Sequence, residues 1–279
     1  MKNIFQLLFI LLVVPFGNVV EGQNKEFKEI IRIPASPVKN QQKTGTCWSF
    51  ATTSFLESEI LRKGKGEYDL SEMFFVRQAY SLKAEKYLLY HGHTNFSQGG
   101  QAHDVMNIIR KFGIMPEFAY PGDPLSPGIY DHEKVFQELN KSIEKTNSSF
   151  NEKKADKWEE KFSQLLDYYF GNVLVDFGIK GQIYSPAGFT NYLGINPDDY
   201  LEFTSYGHHP FYEQIDLEIP DNWSHDRYIN VLINELVEII DSSLYKGYSV
   251  CWDGDTSEKG FNDKKGIATI ETNTVCDQA

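Results

Sequence analysis

Apolar residues recur at helical spacing in three segments of the first half of the chain. In the segment 47–62 the repeating positions are Trp48, Ala51, Phe55, Leu56 and Ile60. This spacing predicts a helix, and Gly64 lies where a helix commonly ends on glycine. Ser71 is a suitable N-cap for a second helix. The segment 102–112 predicts a third helix, which Gly113 ends.

The second half of the chain alternates charged and apolar segments. Residues 131–170 are charge-rich and helical in pattern, with one apolar stripe formed by Trp158, Phe162, Leu165 and Tyr169. Such a stripe is typical of a core-facing helix, whereas 141–157 is polar enough for a solvated loop or helix face. Residues 233–247 predict an amphipathic helix, and 248–252 predict a strand. Helices that precede strands favour the α+β class.

The first 22 residues have the pattern of a secretory signal peptide. Lys2 supplies a positive charge, and 4–16 is a mainly apolar run. Its length falls near the 7–15 residues of a signal core and short of the roughly 20 that span a bilayer. Gly22 ends a plausible cleavage site, so the mature protein is expected to be secreted or periplasmic. A buried N-terminal helix is the alternative.

Composition and charge exclude several classes of protein. The 41% hydrophobic and 24% charged residues are sufficient for a packed core and exclude a disordered chain. A net charge of −12 argues against nucleic acid or an anionic membrane as partner, because both favour a basic surface. Three cysteines cannot form a disulfide framework, and at least one of them stays unpaired.

Cys47 is the cysteine with the strongest indication of chemistry. A loop that contains Gly45 leads directly to Cys47 in the first turn of the predicted helix. Free backbone N–H groups and the helix dipole favour negative charge there, so we expect a lowered pKa and a nucleophilic thiolate. A buried, inert thiol is the alternative, because it is the commoner state of a free cysteine.

Several motifs together resemble one enzyme family, the papain-like cysteine peptidases. They are, in chain order, Val38-Lys39-Asn40-Gln41, Cys47-Trp48-Ser49-Phe50-Ala51, Leu70-Ser71-Glu72, Gly99-Gly100, Phe112-Gly113-Ile114 and Tyr120-Pro121. A second set resembles the bleomycin hydrolase and aminopeptidase C branch. It comprises Lys43-Thr44-Gly45-Thr46, Leu193-Gly194-Ile195, His208-His209-Pro210-Phe211, Pro220-Asp221-Asn222-Trp223 and Trp252-Asp253-Gly254-Asp255.

The resemblance implies a papain-like α+β fold with a complete helical half and an incomplete β half. The implied domains are a signal peptide over 1–22, a helical domain with inserted helices over 23–247, and the start of the β domain over 248–279. The resemblance also implies that Cys47 is the nucleophile. Gln41 and the Cys47 backbone N–H then form the oxyanion hole. Gly99 and Gly100 present backbone to an extended substrate, although the pair alone is more typical of a turn.

The base that such a thiol needs is not evident in the sequence. A papain-type cysteine uses an imidazole and an Asn or Asp that orients it, roughly 130–150 residues further on. No histidine occurs between His132 and His208, and no Asn-Ser-Trp-Gly motif follows Asp255. We therefore expect a C-terminally truncated family member. A triad of His208 or His209 with Asn222 is a weak alternative, because Pro210 follows the histidines directly.

No metal site and no cofactor are expected, and a metal-binding protein that uses the histidine clusters is a third, less favoured hypothesis. The His91-Gly92-His93 pair lacks a third ligand nearby and is more typical of a polar loop. His103 is interpreted as packing, Cys251 as a buried strand residue and Cys276 as incidental.

The main hypothesis is a secreted cysteine peptidase that cleaves peptides through a Cys47 thiolate and an acyl-enzyme, with little activity from this chain alone. The expected partners are a peptide substrate and other copies of the chain in a homo-oligomer, without nucleic acid and without a membrane after signal removal. The alternative is an inactive, truncated homologue that binds peptides or a partner chain.

Overall fold

The computed structural model describes residues 28–148, 152–254 and 256–269. The chain divides into two units, Met1–Arg32 and Ile33–Ala279, and all the elements described below lie in the second. The predicted signal peptide over 1–22 and Cys276 lie outside the described residues. In the described part, no helix is both long and apolar enough to cross a bilayer.

Seven α-helices form within the described residues. They are α1 (Cys47–Arg62), α2 (Glu72–Leu89), α3 (Ala102–Phe112), α4 (His132–Ser148), α5 (Glu152–Phe170), α6 (Pro186–Leu193) and α7 (Ile233–Tyr245). The predictions of helices over 47–62 and 102–112 are confirmed. Ser71 caps α2 by accepting a hydrogen bond from the Phe74 N–H at 2.9 Å. Gly113 ends α3 with a φ of +84°, a conformation that favours glycine.

The strands are short and form three small sheets. They are β1 (Phe177–Ile179), β2 (Gln182–Tyr184), β3 (Phe203–Thr204), β4 (Gln214–Asp216), β5 (Arg227–Asn230), β6 (Phe261–Asn262) and β7 (Ile267–Ala268). β1 pairs with β2 and β6 with β7, both antiparallel. In the third sheet β5 lies between β3, which is parallel to it, and β4, which is antiparallel. Helices combined with these sheets confirm the α+β class.

The hydrophobic core lies around α2, which packs against α1, α3, α4 and α5. Most of its length is buried, including Phe74, Phe75 and Tyr80. A helix that is buried on most sides is expected to be apolar around its circumference. On α5 the predicted stripe faces this core: Phe162 is buried, and Trp158, Leu165 and Tyr169 pack partly buried against it.

The last part of the chain differs from its prediction in the burial of α7 and in the segment 248–252. The amphipathic helix is confirmed as α7, but none of its residues is fully buried: Ile233 and Val237 are 62% and 51% exposed. The predicted strand over 248–252 is wrong, because the structure assigns no strand there. The Tyr248 N–H bonds the Ser243 carbonyl at 3.0 Å, which extends the end of α7. Cys251 in this segment is half-buried rather than a buried strand residue.

Candidate active site

The loop before α1 is closed by hydrogen bonds, and Cys47 follows it as the first residue of the helix. The Gln41 side-chain amide donates to the Thr44 carbonyl at 2.6 Å, and the Thr44 hydroxyl donates back to the Gln41 carbonyl at 3.0 Å. The Gly45 N–H donates to the Gln98 side chain at 2.8 Å. These bonds fix the loop from both sides just before Cys47.

Cys47 is exposed, but its surroundings do not favour a thiolate. Partial burial of the sulfur raises the pKa of the Cys47 thiol, and the charges of Asp253 and Asp221 raise it further. The backbone N–H groups of Trp48 and of Cys47 itself lower this pKa, as the helix N-terminus predicts, but the net direction is upward. The prediction of a lowered pKa is therefore wrong for this arrangement, and a protonated thiol is expected at neutral pH.

The structure places Gln41 in the same loop as Cys47. Its amide nitrogen carries two N–H bonds, and one of them is directed to the Thr44 carbonyl. The loop thus keeps the amide close to the start of α1 through a local contact. The role of Gln41 in an oxyanion hole stays a prediction.

Gly99 and Gly100 are required by packing inside the protein. A Cβ atom on Gly99 would overlap the Asp221 carboxylate, and one on Gly100 would lie 2.9 Å from the Trp48 ring. Each glycine therefore permits a close approach that a side chain would prevent. Binding of substrate backbone by Gly99 and Gly100 stays a prediction.

A buried lysine lies beneath this glycine pair and was not found from the sequence. The Lys83 side chain is fully buried and donates to the carbonyls of Ser97, at 3.2 Å, and of Gly99. Its ammonium lies 5.8 Å from the centre of the Trp48 ring and 5.7 Å from that of Trp223. Lys83 thus connects α2 to Gly99 and to the residue that follows Cys47.

Two carboxylates accompany the lysine. Burial lowers the pKa of Lys83, and the charges of Asp104 and Asp221 oppose this effect. Burial also raises the pKa of Asp104, against the charge of Lys83 and a hydrogen bond from Trp223 at 3.0 Å. Lys83 and Asp104 therefore favour each other's charged forms, while burial opposes both charges.

Asp221 ties the segment around Trp223 to the loop that carries Gly99. Its Oδ1 accepts hydrogen bonds from Asn95 and Ser97, each at 3.1 Å. The motif Pro220-Asp221-Asn222-Trp223 was recognised in the sequence, but this contact was not predicted. Asp221 is a partner of the glycine loop and a source of negative potential at Cys47.

All seven histidines lie within the described part of the chain, and none is hydrogen bonded there to the Cys47 thiol. His103 bonds Glu202 at 3.1 Å. His132 is buried against Phe170, and burial lowers its pKa to about 4. The other pairings are His208 and His209 with Glu218, and His225 with Asp216.

The alternative triad of His208 or His209 with Asn222 is wrong. The Asn222 amide donates to the Asp216 carboxylate at 2.9 Å and to the carbonyls of Leu217 and Asp226 at 3.1 and 3.0 Å. The two histidines bond Glu218 instead. Asn222 therefore holds a turn between β4 and β5 and orients neither imidazole.

Comparisons with known proteins indicate the family of the chain. The sequence profile described as "Papain family cysteine protease" matches residues 26–185, which include Gln41, Cys47, Gly99 and Gly100. "Cysteine proteinase 1, mitochondrial" of Saccharomyces cerevisiae is 27% identical over 123 residues, 37% of this chain and 25% of that protein. "Bleomycin hydrolase" of Oryctolagus cuniculus is 27% identical over 124 residues, 37% of this chain and 44% of that protein.

A solved structure shares the fold. The crystal structure of PepW from Lactobacillus rhamnosis has a TM-score of 0.63 and 20% sequence identity, and the match covers 78% of this chain and 58% of PepW. This chain thus spans less than two thirds of the length of the proteins it matches. Bleomycin hydrolases are among the curated relatives that the chain resembles. The chain belongs to the papain family of cysteine proteases.

Proposed function

We propose that Cys47 is the nucleophile of a cysteine peptidase of the bleomycin hydrolase and aminopeptidase C type. The observation that carries the proposal is an exposed thiol at the first residue of α1, within the part of the chain that matches the papain family. Peptides are the proposed substrates. The loop bonded through Gln41 and Thr44 presents the thiol to solvent rather than to the core.

The proposed reaction has two steps. The Cys47 thiolate attacks a peptide carbonyl carbon, a C–S bond forms, the C–N bond breaks, and the leaving amine takes a proton from the general acid. Water then hydrolyses the thioester and restores the thiol. The Cys47 N–H and the Gln41 amide would stabilise the oxyanion, and Gly99 with Gly100 would line the extended peptide.

We propose that none of the seven histidines of this sequence activates Cys47. In the described part of the chain, the rings of His103, His208, His209 and His225 each bond a carboxylate. The two side-chain charges that act on Cys47, those of Asp253 and Asp221, are both negative. A neighbouring imidazolium is the usual source of thiolate in such enzymes. These residues alone are therefore expected to have little peptidase activity.

A second candidate function is peptide binding by an inactive homologue, which the raised pKa of Cys47 favours. One experiment tests whether Cys47 lies in a peptide-binding site. Purified protein is treated with a peptide that carries a carbon electrophile, and with the same electrophile without the peptide. A peptidase nucleophile at Cys47 predicts faster modification by the peptide form, mapped by mass spectrometry. Half-buried Cys251 is the internal control.

The hydrolysis assay completes this test. Residues 23–279 are incubated with aminoacyl amides, beside the Cys47→Ala variant. No turnover above the variant is expected, whereas Cys47-dependent turnover would refute the proposal that no histidine of this sequence activates Cys47. Equal modification rates with and without the peptide would refute the assignment of Cys47 as a peptidase nucleophile.

Secretion and self-association are part of the proposal. We propose that the segment 1–22 directs export and is removed after Gly22, and that copies of the chain form a homo-oligomer. Mass spectrometry of exported protein should find Gln23 at the N-terminus. Light scattering on the purified protein measures the oligomeric state, and a monomer at all concentrations would contradict the proposed homo-oligomer.

A further inference from the structure

Two adjacent histidines meet a single carboxylate next to the sheet of β3, β4 and β5. The Nε2 atom of His209 lies 2.7 Å from Glu218 Oε1, and that of His208 lies 3.4 Å from Glu218 Oε2. The two imidazole rings are 4.3 Å apart. Each imidazole thus contacts a different oxygen of the Glu218 carboxylate. None of these three residues belongs to the candidate active site.

The loop that carries the histidines is fixed by a fully buried residue of the sheet. The Asn230 side chain donates to the carbonyls of Tyr206, His209 and Pro210, at 3.0, 3.3 and 3.1 Å. Its own oxygen accepts from the Tyr206 N–H at 2.8 Å. The ring of Tyr206 also packs edge-on against His208, with centres 5.4 Å apart. The backbone of both histidines is therefore held in place before any ligand arrives.

The arrangement has the donor set of a divalent transition-metal site. One donor atom from each of His208, His209 and Glu218 lies within 4.8 Å of the others. Zinc binds imidazole nitrogen and carboxylate oxygen at about 2.0–2.2 Å, so one ion can reach all three donors after small side-chain movements. An ion pair with Glu218 would need only one imidazole. The second imidazole adds a third donor atom, so that the three side chains together could chelate one ion.

We propose that His208, His209 and Glu218 bind one zinc ion, with water in the fourth position. Three protein ligands and an open position are characteristic of zinc sites with two histidines and one glutamate, and imidazole with carboxylate is a donor set that suits zinc. The ion would connect the loop around His209 to the segment that follows β4. The negative net charge of the chain, −12, also favours cations over anions as ligands.

The experiment measures zinc stoichiometry on the whole protein. Chelator-treated protein is titrated with zinc chloride against a colorimetric zinc indicator, and bound metal is quantified by mass spectrometry. One equivalent is expected for the wild type. His209→Ala and Glu218→Gln should each weaken binding by more than the roughly 10- to 100-fold that loss of an outer-shell partner costs. Both side chains are partly exposed, so the fold should tolerate these changes.

Two control variants separate this site from other zinc ligands. His225 is exposed and bonds one carboxylate, Asp216, at 2.9 Å, so His225→Ala should leave the bound equivalent unchanged. Cys47→Ser should also leave it unchanged, although a thiolate is a zinc ligand. Absence of stoichiometric zinc would overturn the proposal. So would an equivalent that is lost in Cys47→Ser or His225→Ala but kept in His209→Ala and Glu218→Gln.

Discussion

Replacement of Lys83 by methionine tests whether the buried ammonium supports the site around Cys47. Methionine keeps most of the side-chain volume but removes the charge and the donors to the carbonyls of Ser97 and Gly99. It also removes one of the two cationic groups, Lys83 and His103, whose charges lower the pKa of the buried Asp104. A buried acceptor that loses its donor costs about 1–3 kcal/mol, and Lys83 donates to two carbonyls. We therefore expect Lys83→Met to lower the free energy of unfolding by about 2–6 kcal/mol.

The matched control is Lys86→Met, three residues further along α2. Lys86 is partly exposed and lies over the rings of Trp223 and Tyr90, at 5.8 and 5.5 Å. A contact of this kind contributes about 0.5–1 kcal/mol at an exposed site, so the control should cost about 1 kcal/mol or less. Lys83 is buried and donates hydrogen bonds to two carbonyls, whereas Lys86 is partly exposed, so the comparison isolates the effect of the buried ammonium.

The assay is urea unfolding followed by far-UV circular dichroism, at pH 5 and at pH 8. Burial already raises the pKa of Asp104, so protonation on acidification relieves part of the unpaired charge. The cost of Lys83→Met should therefore be larger at pH 8 than at pH 5. Equal costs for Lys83→Met and Lys86→Met, at either pH, would refute a structural role for the buried ammonium.

Three further predictions concern the neighbouring contacts. Gly99→Ala should destabilise the protein by about 1–3 kcal/mol through its overlap with Asp221; Gly99→Ala combined with Asp221→Gly should recover part of this in a double-mutant cycle, and strict additivity would argue against the overlap. Burial lowers the pKa of His103, but the hydrogen bond to Glu202 and the charges of Glu202, Asp104 and Asp226 together raise it by more, so the net shift of the pKa is upward. A raised pKa contributes stability below the unfolded value of about 6.5 that is lost as pH rises through the folded value. The stability difference between wild type and His103→Gln, from urea unfolding, should therefore shrink between pH 6 and pH 9, and a constant difference would contradict it. Ser71→Ala should cost about 1 kcal/mol through loss of the α2 cap, measured by thermal unfolding, and an unchanged Tm would count against that cap.

The helices could be predicted because their ends carry local information. The Ser71 hydroxyl accepts from an N–H three residues later, and Gly113 adopts a positive φ that other residues disfavour. Both properties depend on a few neighbouring residues. The strands could not be predicted in the same way, because they are two to four residues long. Phe203 pairs with Ile229, which lies far away in the sequence.

The segment over 248–252 shows the limit of composition as evidence. It is rich in residues that favour strands, but a strand also needs a neighbouring backbone for its N–H and C=O groups. In the described residues the N–H of Tyr248 bonds the end of α7, and Trp252 is 66% exposed. The apolar pattern was identified correctly, and the missing information was the pairing partner.

The start of α1 at Cys47 was predicted from the local sequence, but the electrostatics around Cys47 were not. The contact of Gln41 with Thr44 was not predicted either. Lys83 was missed because a lysine in a helical segment ordinarily predicts solvent exposure. Its burial depends on rings that only the fold brings together.

The pKa of Cys47 was predicted in the wrong direction for the same reason. The helix N-terminus lowers it, and that effect is readable from the loop and the helix pattern. Partial burial and the charges of Asp221 and Asp253 come from residues about 170 to 210 positions away in the sequence, and they outweigh it. Local sequence therefore indicated Cys47 as the candidate nucleophile but could not set the protonation state of its thiol.

The pH profile of Cys47 alkylation tests the account most directly. A small neutral electrophile is applied to the purified chain, and modification of Cys47 is followed separately from that of Cys251 by peptide mass spectrometry. The account predicts a single rise in rate with a midpoint above the ordinary thiol pKa of about 8.5, because burial and nearby carboxylates disfavour the thiolate. A high, flat rate from about pH 5 to pH 8 would show a thiolate already paired with an imidazolium. That result would contradict the claim that these residues hold the nucleophile without its base.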